Sequence, residues 1–270
     1  MVARDGGLEE ELTVFGTRPS GRLGTFSWAM FDWANQPYFT LITTFIFAPY
    51  FASAVVGDAV RGQELWGYGQ AVAGLCIALL SPVMGAIADA AGRRKPWILV
   101  FQSLCVLACA GLWLAMPGAA DRDLVMILGL VVLASLGAEF AMVFNNAMLP
   151  GLTTKNRLGR LSGQAWAMGY LGGLLTLGFV LGGFSLPEVP LFGLDKASHE
   201  HDRMVGPLSA IWMVVFVLPM FLFTPDTPPS GLGLARSTRL GLGQLAGTLR
   251  AAGHYRNVLL FLIARMIYFD

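Results

Sequence analysis

The chain has 270 residues, of which 55% are hydrophobic and only 13% are charged, whereas about 25% of the residues of an ordinary soluble domain are charged. This composition excludes an ordinary soluble domain and favours a protein that lies in a lipid bilayer. The formal net charge of +1 indicates no nucleic acid or other strongly charged partner.

Apolar runs long enough to cross a membrane follow one another along the chain. A transmembrane helix needs about 20 mostly apolar residues, and six complete runs meet this length: 27–55, 66–90, 97–116, 124–149, 158–184 and 207–223. A seventh run begins near residue 257 and stops at residue 270. Strands of a membrane barrel would instead alternate over segments of about ten residues. The sequence therefore predicts an all-α integral membrane protein.

The runs predict four parts of the chain. These are a cytoplasmic amino-terminal segment (1–24), a six-helix transmembrane domain (25–225), a cytoplasmic loop (226–256) and an incomplete seventh transmembrane helix (257–270). Six spans fall into two trios, and many transporters are built from inverted three-helix repeats with the solute site near the midplane. The two trios show no evident sequence identity, so the sequence does not demonstrate the repeat.

The positive charges predict the orientation of the spans. Of the 18 Lys and Arg residues, thirteen fall before the first span or in alternate connections, and one, Arg265, falls in the incomplete seventh run. The other connections hold four: Arg61, Arg122, Lys196 and Arg203. Cytoplasmic loops carry the excess of Lys and Arg. We therefore expect a multi-pass protein with a cytoplasmic amino terminus, and the bacterial inner (plasma) membrane is its expected location.

The first run carries an acid inside an apolar stretch, "MFDWANQPYF". On a helix, residues spaced by three or four form one polar stripe, whose members here are Asp32, Gln36, Thr40, Thr43 and Thr44. Asn35 lies at the edge of this stripe. An ionised carboxylate in the apolar region costs at least about 3 kcal/mol, so it must be paired, hydrated or protonated. Asp32 is thus either a proton-coupling residue or a structural cap near the cytoplasmic end of the span.

A second acid, Glu139, lies further from the ends of its run. Ser135, Glu139, Met142 and Asn146 share one helix face. Glu139 is the stronger candidate for a proton carrier, and the alternative is a carboxyl that bonds a neighbouring helix without titrating. Four candidates for the solute path lie on or beside the polar stripe: Asn35, Gln36, Thr40 and Thr43. The other candidates for the solute path are Asn145, Asn146, Gln164, Trp166 and Tyr170.

The fifth run also carries glycines at four-residue spacing. Gly169 with Gly173, and Gly178 with Gly182, predict two faces for close helix packing. Trp and Tyr in the same run are typical of membrane interfaces as well as of solute paths, so both interpretations of Trp166 and Tyr170 stay open.

The turn between the second and third runs has the most specific motif, "GAIADAAGRRK". It resembles the signature of the major facilitator superfamily at this place, with Gly85, Asp89, Gly92, Arg93 and Arg94 at the matching positions. Gly92 permits a sharp reversal at a helix end. The resemblance implies that these five residues form a cytoplasmic latch that stabilises the outward-facing state, and Ala90 replaces the basic residue usual after the aspartate.

Three more stretches, "WAMFDWANQPYFTLITTFIFAPYF", "NNAMLP" and "LSGQAWAMGYLGG", resemble the branch of the superfamily related to the vacuolar amino-acid effluxers of fungi. The resemblance implies a six-helix half of two inverted repeats, amino-acid efflux, and about twelve spans in a whole carrier. The chain therefore corresponds to one half plus the start of the next. A second half is then expected as a partner, either in the same chain or in another subunit.

Other chemistry is weakly represented. The histidines and acids of "HEHD" (199–202) are expected to be a solvated loop without a metal, and the three cysteines are expected in the packed core. The sequence contains no Walker-type loop, the motif that would indicate ATP-driven pumping. No serine or cysteine has a base at a suitable depth for a membrane hydrolase. We expect neither an enzyme nor a cofactor.

These observations predict a secondary transporter that moves a small solute, with amino acids as the first candidate, by alternating access coupled to protons. The alternative is a half-length membrane protein without independent transport, which acts as a structural or partner subunit.

Overall fold

The computed structural model of the protein describes residues 12–227, without the side chains of 89–91, and the single positions 239, 243, 247, 260 and 264. The predicted loop beyond residue 227 and the predicted seventh helix lie outside the described residues, apart from those single positions.

Six helices long and apolar enough to cross a membrane occur in the described part, which confirms the all-α membrane fold. They are α1 (Arg22–Val55), α2 (Ala59–Ala91), α3 (Lys95–Leu114), α4 (Asp121–Leu152), α5 (Lys155–Ser185) and α6 (Glu200–Phe223). The helices extend several residues beyond most of the predicted runs, because polar first and last turns continue the helix outside the apolar core.

Three of the helices change their hydrogen-bond register along their length. In α1, the α-helix Arg22–Pro37 is followed by a π-helix Tyr38–Phe45, a short α-helix Phe47–Tyr50 and a second π-helix Phe51–Val55. Proline lacks the amide hydrogen that a regular helix would use, and the change in register begins directly after Pro37. In α3, the α-helix Lys95–Gly111 ends in the 3₁₀ turn Leu112–Leu114.

The last two helices are also composite. In α5, the 3₁₀ turn Lys155–Arg157 precedes the α-helix Leu158–Val180 and the π-helix Leu181–Ser185. A 3₁₀ turn, Leu191–Gly193, lies in the connection that follows. In α6, the short α-helix Glu200–Arg203 leads into Val205–Phe223.

Two ends of α2 show how the sequence sets the helix boundaries. The Asp58 carboxylate accepts hydrogen bonds from the amides of Val60 (2.9 Å) and Arg61 (3.1 Å), as an N-cap does for amides that lack a partner in the helix. At the other end, Gly92 has a φ of 76°, in the left-handed region that glycine adopts without steric cost. The chain therefore reverses where the motif predicts a reversal.

The packing of the six helices is symmetric between the two trios. The most extensive pairs are α1 with α5, α1 with α6, α4 with α2, α4 with α3, and α3 with α6. Exchanging α1, α2 and α3 with α4, α5 and α6 maps this set of pairs onto itself. The arrangement is that of a major-facilitator half built from two three-helix repeats, which the sequence alone did not demonstrate.

The core is apolar at both ends of the bundle. Cys105 and Cys109 are fully buried in it and Cys76 is half-buried, so the first two have the packing role that the sequence predicts. An isolated antiparallel bridge between Thr13 and Thr154 attaches the amino-terminal segment to the connection between α4 and α5.

Candidate functional site: a polar cavity among the first, second and fourth helices

The polar stripe of α1 packs against glycines of α5. A Cβ atom added to Gly173 would lie 2.6 Å from Thr40 Oγ1 and 2.7 Å from Gln36 Cγ, and one added to Gly169 would lie 3.3 Å from Asp32 Cβ. The two glycines therefore allow the helices to approach closely, as the small-residue spacing predicts. Gly178 and Gly182 have only open space around the corresponding position, so the second predicted glycine face meets no neighbour among the described residues.

Thr43, in the same predicted stripe, lies on a different side of α1. Its hydroxyl donates to the carbonyl oxygen of Phe39 (2.7 Å), and Thr44 donates to the same oxygen (2.8 Å). The π-helical turn exposes this carbonyl to both hydroxyls, because its backbone bonds span five residues rather than four. The stripe therefore divides, with Asp32, Gln36 and Thr40 facing α5 and Thr43 facing a cavity.

The cavity has a volume of about 180 Å³ and lies between α1, α2 and α4. Its polar lining comes from five residues on these three helices: Tyr38, Thr43, Gln70, Ser135 and Glu139. Ala73, Gly74 and Ile77 of α2 and Phe39 of α1 complete the wall.

Hydrogen bonds fix some of the lining and leave other groups open. Tyr38 Oη and Ser135 Oγ are 2.6 Å apart, and Ser135 also donates to the carbonyl of Val131 (3.0 Å). Gln70 Nε2 is buried and has no hydrogen-bond partner within the described residues. The Glu139 carboxylate is half-buried and forms neither a hydrogen bond nor an ion pair in the same part of the chain. A carboxylate and an amide donor thus remain available in one small polar space.

The other path candidates of α1 and α4 are placed differently. Asn35 is buried and accepts a hydrogen bond from Gln102 Nε2 of α3 (3.0 Å), while its own amide donates to the Phe31 carbonyl. Asn145 is fully buried, and neither atom of its side-chain amide has a partner among the described residues. The backbone carbonyl of Asn145 accepts a hydrogen bond from Trp28 Nε1 (2.9 Å). The structure does not bring these two amides to the Glu139 cavity, whose lining excludes them, and Asn146 is exposed.

The candidates on α5 lie at the surface of the bundle. Trp166 and Tyr170 are 53% and 58% exposed, and their ring centroids are 5.9 Å apart. Gln164 is exposed in a groove of about 750 Å³ at the amino-terminal ends of α1 and α5, which Arg22, Arg157 and Arg160 also line.

Among the described residues of the predicted latch, Gly92 and Arg94 are buried. The Arg94 side chain is 3% exposed; it donates to the Gly92 carbonyl (3.2 Å) and to the Thr227 hydroxyl, and its guanidinium lies 5.7 Å from the Phe15 ring centroid. Arg93 is exposed and lines a groove with Asp226. The Asp89 side chain lies outside the described residues, and Gly85 has open space where a side chain would project.

Sequence reasoning missed Gln70 and the cavity-facing role of Tyr38. The available signal for Gln70 was a single amide in the otherwise apolar "GYGQAVAGLC", which pattern analysis does not distinguish from a residue near the interface.

The fold and the cavity define a class, a multi-pass membrane protein with the six-helix arrangement of a major-facilitator transporter half. The family described as "Vacuole effluxer Atg22 like" matches residues 54–270. The chain belongs to this family, as the sequence resemblance predicts.

A curated relative agrees with this assignment. The chain is 24% identical over 250 residues to the uncharacterized MFS-type transporter YxiO of Bacillus subtilis (strain 168), and the match covers 90% of this chain and 56% of the relative. The chain thus spans a little over half of the length of the curated relative that it matches. No solved structure matches the chain at a significant level.

Proposed function

We propose that the chain forms the first half of a secondary transporter that moves a small solute by alternating access and exchanges it with protons. The observation that carries the proposal is the Glu139 carboxylate, half-buried without an ionic or hydrogen-bonding partner in the described residues, at a polar cavity between three membrane helices. A carboxylate in the apolar region of a membrane is costly and marks ion and proton pathways.

Glu139 is the proposed proton carrier, because its surroundings can change between two states. When the cavity is open to water, hydration stabilises the ionised carboxylate; when the cavity closes, loss of that hydration favours the protonated form. The Gln70 amide and the Tyr38 and Ser135 hydroxyls then offer groups that can bond either the carboxyl or a solute. Asp32, held against Gly169, is the second proposed coupling residue.

Amino acids are the proposed solute and efflux is the proposed direction. The family description names a vacuole effluxer, and the resemblance to vacuolar amino-acid effluxers supplies the solute. Zwitterionic solutes need both donors and acceptors, and the cavity presents a carboxylate, an amide and hydroxyls.

A second half is proposed as the partner that completes the path. In this proposal the polar faces of α1, α2, α4 and α5 line one side, and Gly85, Asp89, Gly92, Arg93 and Arg94 form the cytoplasmic latch against the other half. The distribution of Lys and Arg supports a cytoplasmic amino terminus, and the bacterial relative supports the bacterial inner membrane as the proposed location. The 56% share of the relative's length supports the need for the second half.

The test is transport of a labelled amino-acid mixture in proteoliposomes, with and without a pH gradient. We compare the unaltered chain with Glu139→Gln, Asp32→Asn and the control Glu188→Gln, which neutralises an exposed carboxylate in the connection before α6. Flux that depends on the gradient, and that Glu139→Gln abolishes while Glu188→Gln leaves it intact, supports the proposal. Gradient-driven flux unchanged in Glu139→Gln contradicts the role of Glu139.

Absence of flux from all variants is resolved by a second measurement. The chain and each variant are then reconstituted together with the remaining half of the YxiO relative, expressed as a separate polypeptide. Flux restored only in the pair supports the half-transporter form of the proposal. Absence of amino-acid flux from a correctly assembled pair contradicts amino acids as the solute.

A further inference from the structure

Three side chains that could bind a metal ion converge at the start of α6. His199, His201 and Asp202 each offer one ligand atom, and these atoms all lie within 4.8 Å of one another. His199 Nδ1 is 2.9 Å and His201 Nε2 is 3.4 Å from the same oxygen, Asp202 Oδ2. The sequence predicts a solvated loop without a metal at this segment, because no further ligands lie nearby along the chain.

These distances are close to those of a tetrahedral site. Zinc binds histidine nitrogen and carboxylate oxygen at about 2.0–2.2 Å, and the ligand atoms of such a tetrahedron are then about 3.3–3.6 Å apart. The His201 Nε2 to Asp202 Oδ2 distance of 3.4 Å lies in this range, and the His199 Nδ1 to Asp202 Oδ2 distance of 2.9 Å is shorter, as in a hydrogen bond. Two histidines and one carboxylate are also a donor set that zinc commonly uses, with water as the fourth ligand.

The three side chains are partly buried, and one of them remains accessible to an ion from solvent. The exposed fraction is 13% for His201, 20% for Asp202 and 39% for His199. His199 thus leaves an approach for an ion, and the other two side chains hold fixed positions. The ring of Tyr50, 5.4 Å from the His199 ring, covers one side.

The backbone around the cluster is held by its own hydrogen bonds. The Asp195 carboxylate accepts from the amides of Ala197 (2.8 Å) and Ser198 (3.2 Å), and Glu200 Oε2 accepts from the Asp195 amide (2.9 Å). Both acids are thereby occupied, which leaves Asp202 as the carboxylate of the cluster. His199 has a φ of 55°, a conformation uncommon for residues other than glycine, and this turn directs its ring toward Asp202.

The nearby cations are occupied elsewhere. Lys196 Nζ donates to the carbonyl of Ser185 (2.8 Å), and the Arg203 guanidinium donates to the carbonyl of Trp113 (2.9 and 2.6 Å). Neither therefore forms the ion pair with Asp202 that would compete with a metal ion.

The geometry points to a site for a divalent transition metal, with Zn²⁺ as its representative, formed by His199 Nδ1, His201 Nε2 and Asp202 Oδ2. A bound ion joins the end of the α5–α6 connection to the first turn of α6. It thereby fixes the entrance of this helix on the face of the bundle opposite the "GRRK" turn.

The experiment is isothermal titration of the purified 270-residue chain in detergent with Zn²⁺, using a purification tag without histidines. The variants are His201→Ala and Asp202→Asn, and His254→Ala is the control that removes the histidine outside the cluster. We expect saturable binding of one Zn²⁺ per chain, unchanged in His254→Ala and weakened in the other two by at least the roughly 10–100-fold that loss of a ligand's hydrogen-bond partner costs. Mg²⁺, which prefers oxygen ligands, is expected to give no comparable binding.

A second measurement separates loss of the site from loss of the fold. Thermal unfolding of each variant is recorded with EDTA and with Zn²⁺. The proposal requires that Zn²⁺ raises the unfolding temperature of the unaltered chain and of His254→Ala, and that this rise is lost in Asp202→Asn, whose amide can still bond His199. Saturable Zn²⁺ binding that survives both cluster substitutions, or no binding to the unaltered chain, overturns it.

Discussion

The carboxylate of Asp226 accepts hydrogen bonds from the backbone amides of Arg94 (2.9 Å) and Lys95 (3.4 Å). These amides lie at the start of α3, where a helix leaves donors without partners and favours negative charge. Lys95 Nζ in turn donates to the carbonyl of Phe221 near the end of α6 (2.7 Å). The "GRRK" turn is therefore attached to the end of the sixth helix within the six-helix domain.

Asp226→Ala is expected to lower the free energy of unfolding by about 0.5–2 kcal/mol, as for the loss of other N-terminal helix caps. Asp226→Asn retains an acceptor oxygen and is expected to cost less. Denaturation of the purified chain in mixed micelles measures both, with Glu188→Ala as an exposed control. Equal stability of Asp226→Ala and the unaltered chain would show that the capping bonds are replaced by water.

The two glycines Gly173 and Gly178 on α5 offer a matched pair. Gly173→Ala places a methyl group 2.6 Å from Thr40 Oγ1, and such overpacking typically costs about 1–3 kcal/mol. Gly178→Ala meets open space and is expected to raise stability by about 0.5–1 kcal/mol, since alanine favours a helix over glycine. The shift in the unfolding midpoint of each variant checks both signs, and a loss of stability in Gly178→Ala would contradict the assignment of its face as open.

Hydropathy was sufficient to predict the six spanning helices of the described residues, and the glycine of the motif was sufficient to predict the reversal at Gly92, because both depend on local properties. The side of each helix that faces protein was harder to predict. Lipid is as apolar as the packed core, so the apolar residues of a membrane helix do not indicate which face is buried. The polar residues were also ambiguous: Asn35, predicted at the edge of the polar stripe, bonds Gln102 on α3.

The divided stripe of α1 has a different cause. The prediction placed Thr43 on one face with Asp32, Gln36 and Thr40 by assuming 3.6 residues per turn. The π-helical segment after Pro37 widens the turn, and side chains beyond it point elsewhere. The cavity with Glu139 arises from this change of register and from Gln70 on another helix, neither of which a helical pattern in one run encodes.

The buried pair of Asn35 and Gln102 predicts non-additive substitutions. Asn35→Leu leaves the Gln102 amide buried without its partner, and we expect a loss of about 1–2 kcal/mol. The double variant Asn35→Leu and Gln102→Leu removes both polar groups and is expected to recover most of that loss. A double-mutant cycle by chemical denaturation measures the coupling, and additive effects would show that the bond contributes nothing to the joining of α1 and α3.

The proposed orientation of the chain predicts opposite labelling of two exposed positions. Arg93 lies in the turn after α2 and Glu188 in the connection before α6, on opposite sides of the predicted membrane. In a Cys76→Ser background, a membrane-impermeant maleimide added to intact cells is expected to label Glu188→Cys and to spare Arg93→Cys until the membrane is permeabilised. The reverse pattern would place the amino terminus outside.

A substitution at Gln70 distinguishes a role of this side chain in transport from a role in stability. Its Nε2 donor is buried without a partner in the described part of the chain, and such a group costs about 1–3 kcal/mol of desolvation. Gln70→Leu removes that cost, so we expect an unfolding midpoint equal to or above that of the unaltered chain. If the amide bonds solute or the Glu139 carboxyl during transport, as proposed, flux falls about tenfold, which corresponds to about 1.4 kcal/mol.

The two measurements on Gln70→Leu are made on the same proteoliposome preparation, with Gln63→Leu as the control. Gln63 is an exposed residue near the start of the same helix, outside the lining of the cavity. Retained flux with raised stability would show that the amide has no part in transport. Lowered stability would show that the amide bonds a group in the folded protein, and the loss of flux would then follow from disrupted packing rather than from a missing ligand of the solute.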